Sequence, residues 1–198
     1  MVFTAAMLPG VYIVEPDKLQ DERGFFARTF CQREFEAHGL TTRVAQCSIS
    51  FNPRKATLRG MHYQVAPYAE TKLVRCTQGA VYDVLVDLRQ DSPTFLQWLA
   101  VELTAKNRKL LCIPEDVAHG FQTLADDSEL FYQISEFHHP ECARGVRWND
   151  PVLNIHWPLP PAIVSERDAG FPLLSSRVLG GQLSAPASAP AEVSRCVS

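Results

Sequence analysis

Apolar residues in this chain fall in short runs rather than at helical spacing. Lys72-Leu-Val-Arg-Cys76, Ala80-Val-Tyr-Asp-Val-Leu-Val-Asp87, Gln97-Trp-Leu-Ala-Val-Glu-Leu103, Lys109-Leu-Leu-Cys-Ile113 and Glu129-Leu-Phe-Tyr-Gln-Ile134 each predict a strand. Turn residues separate them at Gln78-Gly79, Asp91-Ser92-Pro93, Lys106-Asn107 and Asp126-Asp127. Close, regular spacing without a long helical pattern predicts an all-β sandwich or barrel. One short helix is predicted from Gln32 to about His38, where Phe35 lies among helix formers and Gly39 supplies a stop. From about Asn149 the texture changes. Asp150-Pro151, Trp157-Pro158 and Pro160-Pro161 cannot continue a central ladder, so an extended segment wrapping the barrel is expected. After Ser175 the chain is rich in Ser, Ala, Gly and Pro with little to bury. A single domain over 1–174 and a disordered tail over 175–198 are expected.

Composition narrows the class. The 198 residues, 46% hydrophobic and 21% charged, suit one soluble domain. A net charge of -3 argues against a general nucleic-acid binder, but leaves room for a local basic patch that grips a phosphorylated ligand. Cys31, Cys47, Cys76, Cys112, Cys142 and Cys196 are scattered and form no Cys-x-x-Cys pair. That pattern fits neither a zinc site nor a disulfide framework, and most are expected to be small buried hydrophobes in a reducing compartment. No run approaches the length of a membrane span, so a cytoplasmic protein with no membrane partner is expected.

Two segments carry candidate chemistry. Leu58-Arg-Gly-Met-His-Tyr-Gln64, followed by Glu70, Lys72 and Gly79, and Ile113-Pro-Glu-Asp-Val-Ala-His-Gly-Phe121 resemble the two sequence boxes of the cupin superfamily. That resemblance implies a small jelly-roll β-barrel with a few short helices. Many cupins hold a metal through histidines and a glutamate. Here His62, Glu70 and His119 occupy recognisable places, while Gln64 stands where a further histidine would be. An amide is a poor transition-metal ligand, although three ligands can suffice for a catalytic zinc. At this point a metal site, structural histidines and metal-free acid–base chemistry all stand.

A longer set of motifs runs from about Pro9 to Leu174: Asp21-Glu-Arg-Gly-Phe-Phe26, Leu58–Gln64, Lys72-Leu-Val, Asp83–Arg89, Ser92-Pro-Thr94, Ile113-Pro114, Ala118-His-Gly-Phe121, Tyr132, Trp148-Asn-Asp-Pro151, Trp157-Pro158 and Ser165-Glu-Arg-Asp168. In this order they resemble the dTDP-4-dehydrorhamnose 3,5-epimerase family. The resemblance implies a homodimer of jelly-roll subunits that needs no cofactor and no metal. Such an enzyme removes the proton beside a 4-ketone, holds the enolate and returns a proton to the opposite ring face. The chemistry requires a base that titrates near neutrality, a fixed donor at the oxyanion and a separate acid. By resemblance His62 is the base, Asp168 orients it, Lys72 faces the enolate oxygen and Tyr132 returns the proton. Arg59 and His119 would hold the substrate, and Arg23 and Phe26 would contact the nucleotide. Without the resemblance, Tyr132 reads as strand packing, Lys72 as a solvated strand edge and Asp168 as a surface acid.

Several positions depart from the family pattern, which usually carries an acid at Arg28, asparagine at Ser48, tyrosine at His138, glutamate at Ala143 and lysine at Arg167. Together with Gln46, the residues Ser48, His138 and Arg167 are expected at the substrate, where such changes bear on which sugar is read. Adjacent strand residues point to opposite faces, so His138 and His139 are not expected to share an ion. By resemblance the expected reaction is epimerisation of a nucleotide-linked 4-keto-6-deoxyhexose at C3, C5 or both, with dTDP-4-dehydro-6-deoxyglucose to dTDP-4-dehydrorhamnose as the leading case. A monoepimerase of another nucleotide sugar (CDP-linked ones included), a non-catalytic sugar-nucleotide binder and a metal-dependent cupin are the alternatives.

Overall fold

A computed structural model describes residues 1–174 of the protein; the expected tail over 175–198 lies outside them. The strands, in chain order, are β1 (Val2–Ala5), β2 (Tyr12–Glu15), β3 (Lys18–Asp21), β4 (Gly24–Ala27), β5 (Gln46–Asn52), β6 (Thr57–Gln64) and β7 (Lys72–Gln78). They continue with β8 (Ala80–Asp87), β9 (Trp98–Thr104), β10 (Leu110–Ile113), β11 (Val117–Thr123), β12 (Ser128–Ile134), β13 (Ala143–Gly145) and β14 (Ile163–Val164). Helix α1 spans Gln32–Glu36 and α2 spans Glu166–Ala169. One six-stranded sheet has the order β1-β2-β10-β7-β12-β5. The other runs β13-β6-β11-β8-β9, with β14 added beside β6. The hairpin β3–β4 stands apart from both.

The sandwich core follows from the two-residue period of a strand. Val74 and Cys76 of β7, Leu111 and Ile113 of β10 and Leu130 of β12 meet Val81 and Leu85 of β8, Leu103 of β9 and Phe121 of β11. Residues of opposite parity face outward, yet many are buried as well. Val84 and Val86 of β8 join Met61, Ala118, Leu153, Ile155 and Leu174, because the segment after Asn149 lies over that outer face. Strand β8 is therefore covered on both sides, which explains its nearly unbroken apolar sequence. On the other sheet α1 seats Phe35 against Val14, Leu73, Leu110 and Cys112.

Much of the expected layout appears. The predicted strands are all present with ends shifted by a few residues, and the predicted helix stops at Glu36 rather than His38. The wrapping segment is present too, although it is not wholly extended: it contributes α2 and a short parallel pairing of β14 with β6. Its motif residues are anchors. Asp150 accepts hydrogen bonds from the amides of Val152 (2.9 Å) and Leu174 (2.5 Å), and Trp157 Nε1 donates to the Trp148 carbonyl at 2.9 Å. Ser92 and Thr94 both donate to Asp87 at 2.6 Å, so that motif closes the loop after β8. Cys76, Cys112 and Cys142 are buried free thiols, and burial pushes Cys76 up to about 11 and Cys112 up to about 12. Cys31 is half-buried, and Cys47, on β5, is exposed. No helix among the described residues is long and apolar enough to cross a membrane.

Strands β6 and β11 approach each other closely at Gly60 and Gly120. A methyl group on Gly120 would lie 2.6 Å from Met61 Sδ and 2.8 Å from the Arg59 carbonyl oxygen. Gly120→Ala is expected to cost about 1–3 kcal/mol by overpacking. Urea denaturation measures this, and a midpoint equal to that of the parent protein would show that the strands can part freely.

Candidate active site

The alternation that builds the core also fills one end of the barrel with polar groups. Lys72 shares the inward parity of Val74 and Cys76, while Tyr132 shares that of Leu130. Across from them, β11 pairs with β6 so that His119 lies directly beside His62, with a bulge before Phe121 meets Arg59. Strand β5 pairs with β12 so that Ser48 faces Tyr132 and Gln46 faces Ile134. These side chains line a cavity of about 400 Å³ that also takes Ser50, Tyr63, Glu70, His138, Ala143, Arg144 and Arg167.

His62 sits on β6 with its side chain 38% exposed, open to the cavity. Its Nε2–H donates to Asp168 Oδ1 at 2.7 Å, which leaves Nδ1 free. The other Asp168 oxygen accepts the Gly60 amide at 3.0 Å. Asp168 is held by α2, where Ser165 caps the helix by accepting the Asp168 amide at 3.1 Å. Burial pushes the Asp168 carboxyl up, but the hydrogen bonds from His62 and Gly60 outweigh it, and the group ionises below its ordinary 3.8. Phe171 packs edge-on to the His62 ring at 5.9 Å.

A second histidine–carboxylate pair stands beside the first. His119 Nε2–H donates to Asp83 Oδ2 at 2.9 Å, and both residues are buried. Burial raises the Asp83 carboxyl against the opposing pull of His119 and Lys72, and Asp83 Oδ1 lacks a hydrogen-bond partner. The Tyr132 ring meets His119 edge-on at 5.9 Å. Burial, with help from the Asp83 charge, lifts the Tyr132 phenol well above 10 despite Arg59, so it stays protonated.

Lys72 opens β7, where a lysine ordinarily sits at a solvated edge, but its register turns it inward and buries it. Its Nζ donates to Glu70 Oε1 at 2.9 Å and approaches the His62 carbonyl at 3.5 Å. Glu70 is therefore engaged with a cation, Asp168 with His62 and Asp83 with His119. Among the described residues no cluster of three or more His, Cys, Asp or Glu side chains could hold a metal ion. Gln64, at the place of the further cupin histidine, is buried and spends its amide on loops. Its Nε2 donates to the carbonyls of Tyr68 (2.5 Å) and Phe137 (3.0 Å), and its Oε1 accepts the His139 amide at 2.8 Å. His138 and His139 diverge as expected, but for another reason: they follow β12 in irregular chain. His138 lines the cavity, whereas His139 stacks on Tyr68 at 3.5 Å.

Of the residues expected at the site, His62, Lys72, Tyr132, Gln46, Ser48, Arg59, His119, His138 and Arg167 line this cavity, and Asp168 stands behind it. Arg23 and Phe26 do not. They lie on the β3–β4 hairpin, where Arg23 pairs with Asp21 and Phe26 is 73% exposed. Arg28 also lies elsewhere, paired with Glu34 at 3.0 Å. The sequence reading gave no role to Asp83, Arg144, Ser50 or Phe171. A signal existed for Asp83, a lone charge inside an apolar strand, which costs free energy unless it is paired.

Two facing sheets with an acid–base interior define a cupin-type jelly-roll protein. A family model described as dTDP-4-dehydrorhamnose 3,5-epimerase matches residues 5–176. A dTDP-4-dehydrorhamnose 3,5-epimerase of Shigella flexneri is 45% identical over 162 residues, covering 81% of this chain and 89% of the relative. The crystal structure of a Bacillus anthracis dTDP-4-dehydrorhamnose 3,5-epimerase with TDP and PPi bound superposes with a TM-score of 0.84 at 39% identity, covering 87% of this chain and 99% of that one. A 3'-monoepimerase from Streptomyces bikiniensis in complex with dTDP-quinovose gives a TM-score of 0.82 at 32% identity, covering 89% of each chain. The chain belongs to the dTDP-4-dehydrorhamnose 3,5-epimerase family and is an isomerase.

The lowered Asp168 carboxyl links stability to pH. Its contribution is complete above about pH 5 and is lost as pH falls through the depressed folded-state value. Asp87, also lowered, works in the same direction: burial raises it, but donors from Arg89, Ser92 and Thr94 prevail. Asp168→Asn is therefore expected to shrink, without abolishing, the loss of urea stability between about pH 5 and about pH 3. An unchanged pH slope would mean that Asp168 is not among the linked groups.

Proposed function

We propose that the protein epimerises a nucleotide-linked 4-keto-6-deoxyhexose through an enolate, converting dTDP-4-dehydro-6-deoxyglucose to dTDP-4-dehydrorhamnose. The observation that carries this reading is the pairing of opposite roles across one cavity. His62, backed by ionised Asp168, stands on one sheet, and the protonated phenol of Tyr132 stands on the facing sheet. His62 Nδ1 takes the proton beside the ketone, and Asp168 stabilises the imidazolium that forms. Lys72 then supplies positive charge to the enolate oxygen, and Tyr132 O–H returns a proton from the other face. The ketone itself acidifies the neighbouring C–H bonds, so the step needs no metal and no cofactor. Arg59, Arg144 and Arg167 line the same cavity and suit a diphosphate. His119 and Gln46 complete the substrate contacts.

A monoepimerase acting at C3 or C5 alone is the second reading. Ser48, His138, Ala143 and Arg167, which depart from the family pattern, all line the cavity. Incubation in deuterated buffer with chelator, followed by NMR, reads exchange at C3 and C5 separately. Exchange at both positions is expected. Exchange at one position alone supports the monoepimerase, binding without exchange the non-catalytic binder, and loss on chelation a metal enzyme. His62→Ala should lower turnover by about 10³-fold or more. Tyr132→Phe should slow epimerisation far more than wash-out of the substrate proton; full epimerisation in that variant would remove Tyr132 from its role.

Arg23 and Phe26 contact the nucleotide only if another subunit delivers them, since they lie outside their own cavity. A homodimer that exchanges the β3–β4 hairpins supplies both, with Phe26 offering a face for the base. Subunits bearing His62→Ala and subunits bearing Phe26→Ala, each nearly inactive alone, should regain up to about a quarter of parental activity when mixed and reassembled, since heterodimers hold one intact site. No gain on mixing would place the hairpin outside the partner's site.

A further inference from the structure

Among the described residues lining the cavity, Glu70 is the only carboxylate, whereas Arg59, Lys72, Arg144 and Arg167 all bring positive charge. An acid is an unexpected neighbour for a diphosphate. Its partner explains it: Glu70 Oε1 lies 2.9 Å from Lys72 Nζ, and the two side chains are only 13% and 11% exposed. The other cations are held differently. Arg59 Nε donates to Asn52 Oδ1 at 2.8 Å, and Arg144 donates to the carbonyls of Glu141 and Ala143. Arg167 lies over the Phe171 ring at 5.9 Å.

From this pattern we infer that Glu70 is a positioning residue, pinning the Lys72 ammonium at the His62 end of the cavity where the sugar carbonyl must lie. The inference rests on the epimerase reading given above. A lysine ammonium is a compact charge on a flexible stem, and ordering that stem costs rotamer entropy. An unanchored Lys72 would be drawn toward a bound diphosphate, the strongest negative charge in the cavity. The ion pair and the contact with the His62 carbonyl hold it beside the base instead. The arrangement divides the cations: the arginines keep their charge for phosphate, and Lys72 is reserved for a weaker, transient oxyanion.

Kinetics on dTDP-4-dehydro-6-deoxyglucose, with TDP affinity and a melting curve as controls, test the assignment. Glu70→Ala is expected to lower kcat by about 30-fold through misplacement of the ammonium, with KM and TDP affinity within about two-fold of the parent. Glu70→Gln retains an acceptor for Nζ without the charge and should hold kcat within about three-fold of the parent. In a Lys72→Ala background, Glu70→Ala should add no further loss, because the group it positions is gone. A kcat unchanged in Glu70→Ala, a loss that persists undiminished without Lys72, or a Gln variant as poor as Ala would overturn the inference. Glu70→Ser replaces the alanine variant should that one melt below assay temperature. A fully active Lys72→Ala would instead sink the proposed role of Lys72, and the Glu70 inference with it.

Discussion

The Asp168 carboxylate is where the fold and the site become one problem. Its oxygens accept from His62 Nε2 and from the Gly60 amide, groups close together on β6, while its own amide is tied to the Ser165 cap. A charge this deeply buried is tolerable only when its hydrogen-bond capacity is filled. Helix α2 must therefore dock at one place and at one angle. That docking draws the segment after Asn149 across the outer face of the second sheet, where Leu153, Ile155 and Leu174 complete a core. The last covering layer of the protein and the orientation of its proposed base are thus set by the same contact.

The polar groups of the interior are set among apolar ones on the same strand faces. Asp83 lies between Val81 and Leu85 on β8, Tyr132 lies between Leu130 and Ile134 on β12, and Lys72 precedes Val74 and Cys76 on β7. The apolar neighbours supply rigidity through close packing, and the polar groups inherit that rigidity because they lie on the same strands. The polar groups are paired with one another: His119 with Asp83, Lys72 with Glu70, and His62 with Asp168. Such pairing lets charged groups persist in a partly dry cavity and holds their donors in place before any ligand arrives.

The strands were legible because each is a short apolar run bounded by turn residues, and the wrapping segment because its prolines forbid a central ladder. Tyr132 and Lys72 were legible as site residues only through family resemblance, because register across the sheet decides which parity faces inward. No local pattern around Lys72 announces that its strand begins inside the barrel. Asp168 was placed by resemblance as well, though Ser165 three residues earlier carries the signature of a helix cap. The displacement of Arg23, Phe26 and Arg28 from this cavity could not be read at all. A motif records that residues matter together, not where the fold of one chain places them.

Gln64 occupies the place of a histidine in the related metal-binding sequence pattern, yet its amide ties two loops to β6, one at Tyr68 and the other at Phe137 and His139. An imidazole offers only two ring nitrogens and cannot reproduce that bridge of two donors and one acceptor. The position therefore does more than decide a ligand, because the loops flanking the cavity converge on it. A histidine here would bring a metal donor and release those loops in the same step. Metal ligation and a tied cavity rim thus compete for one side chain, and Gln64 makes this position the keystone of the rim.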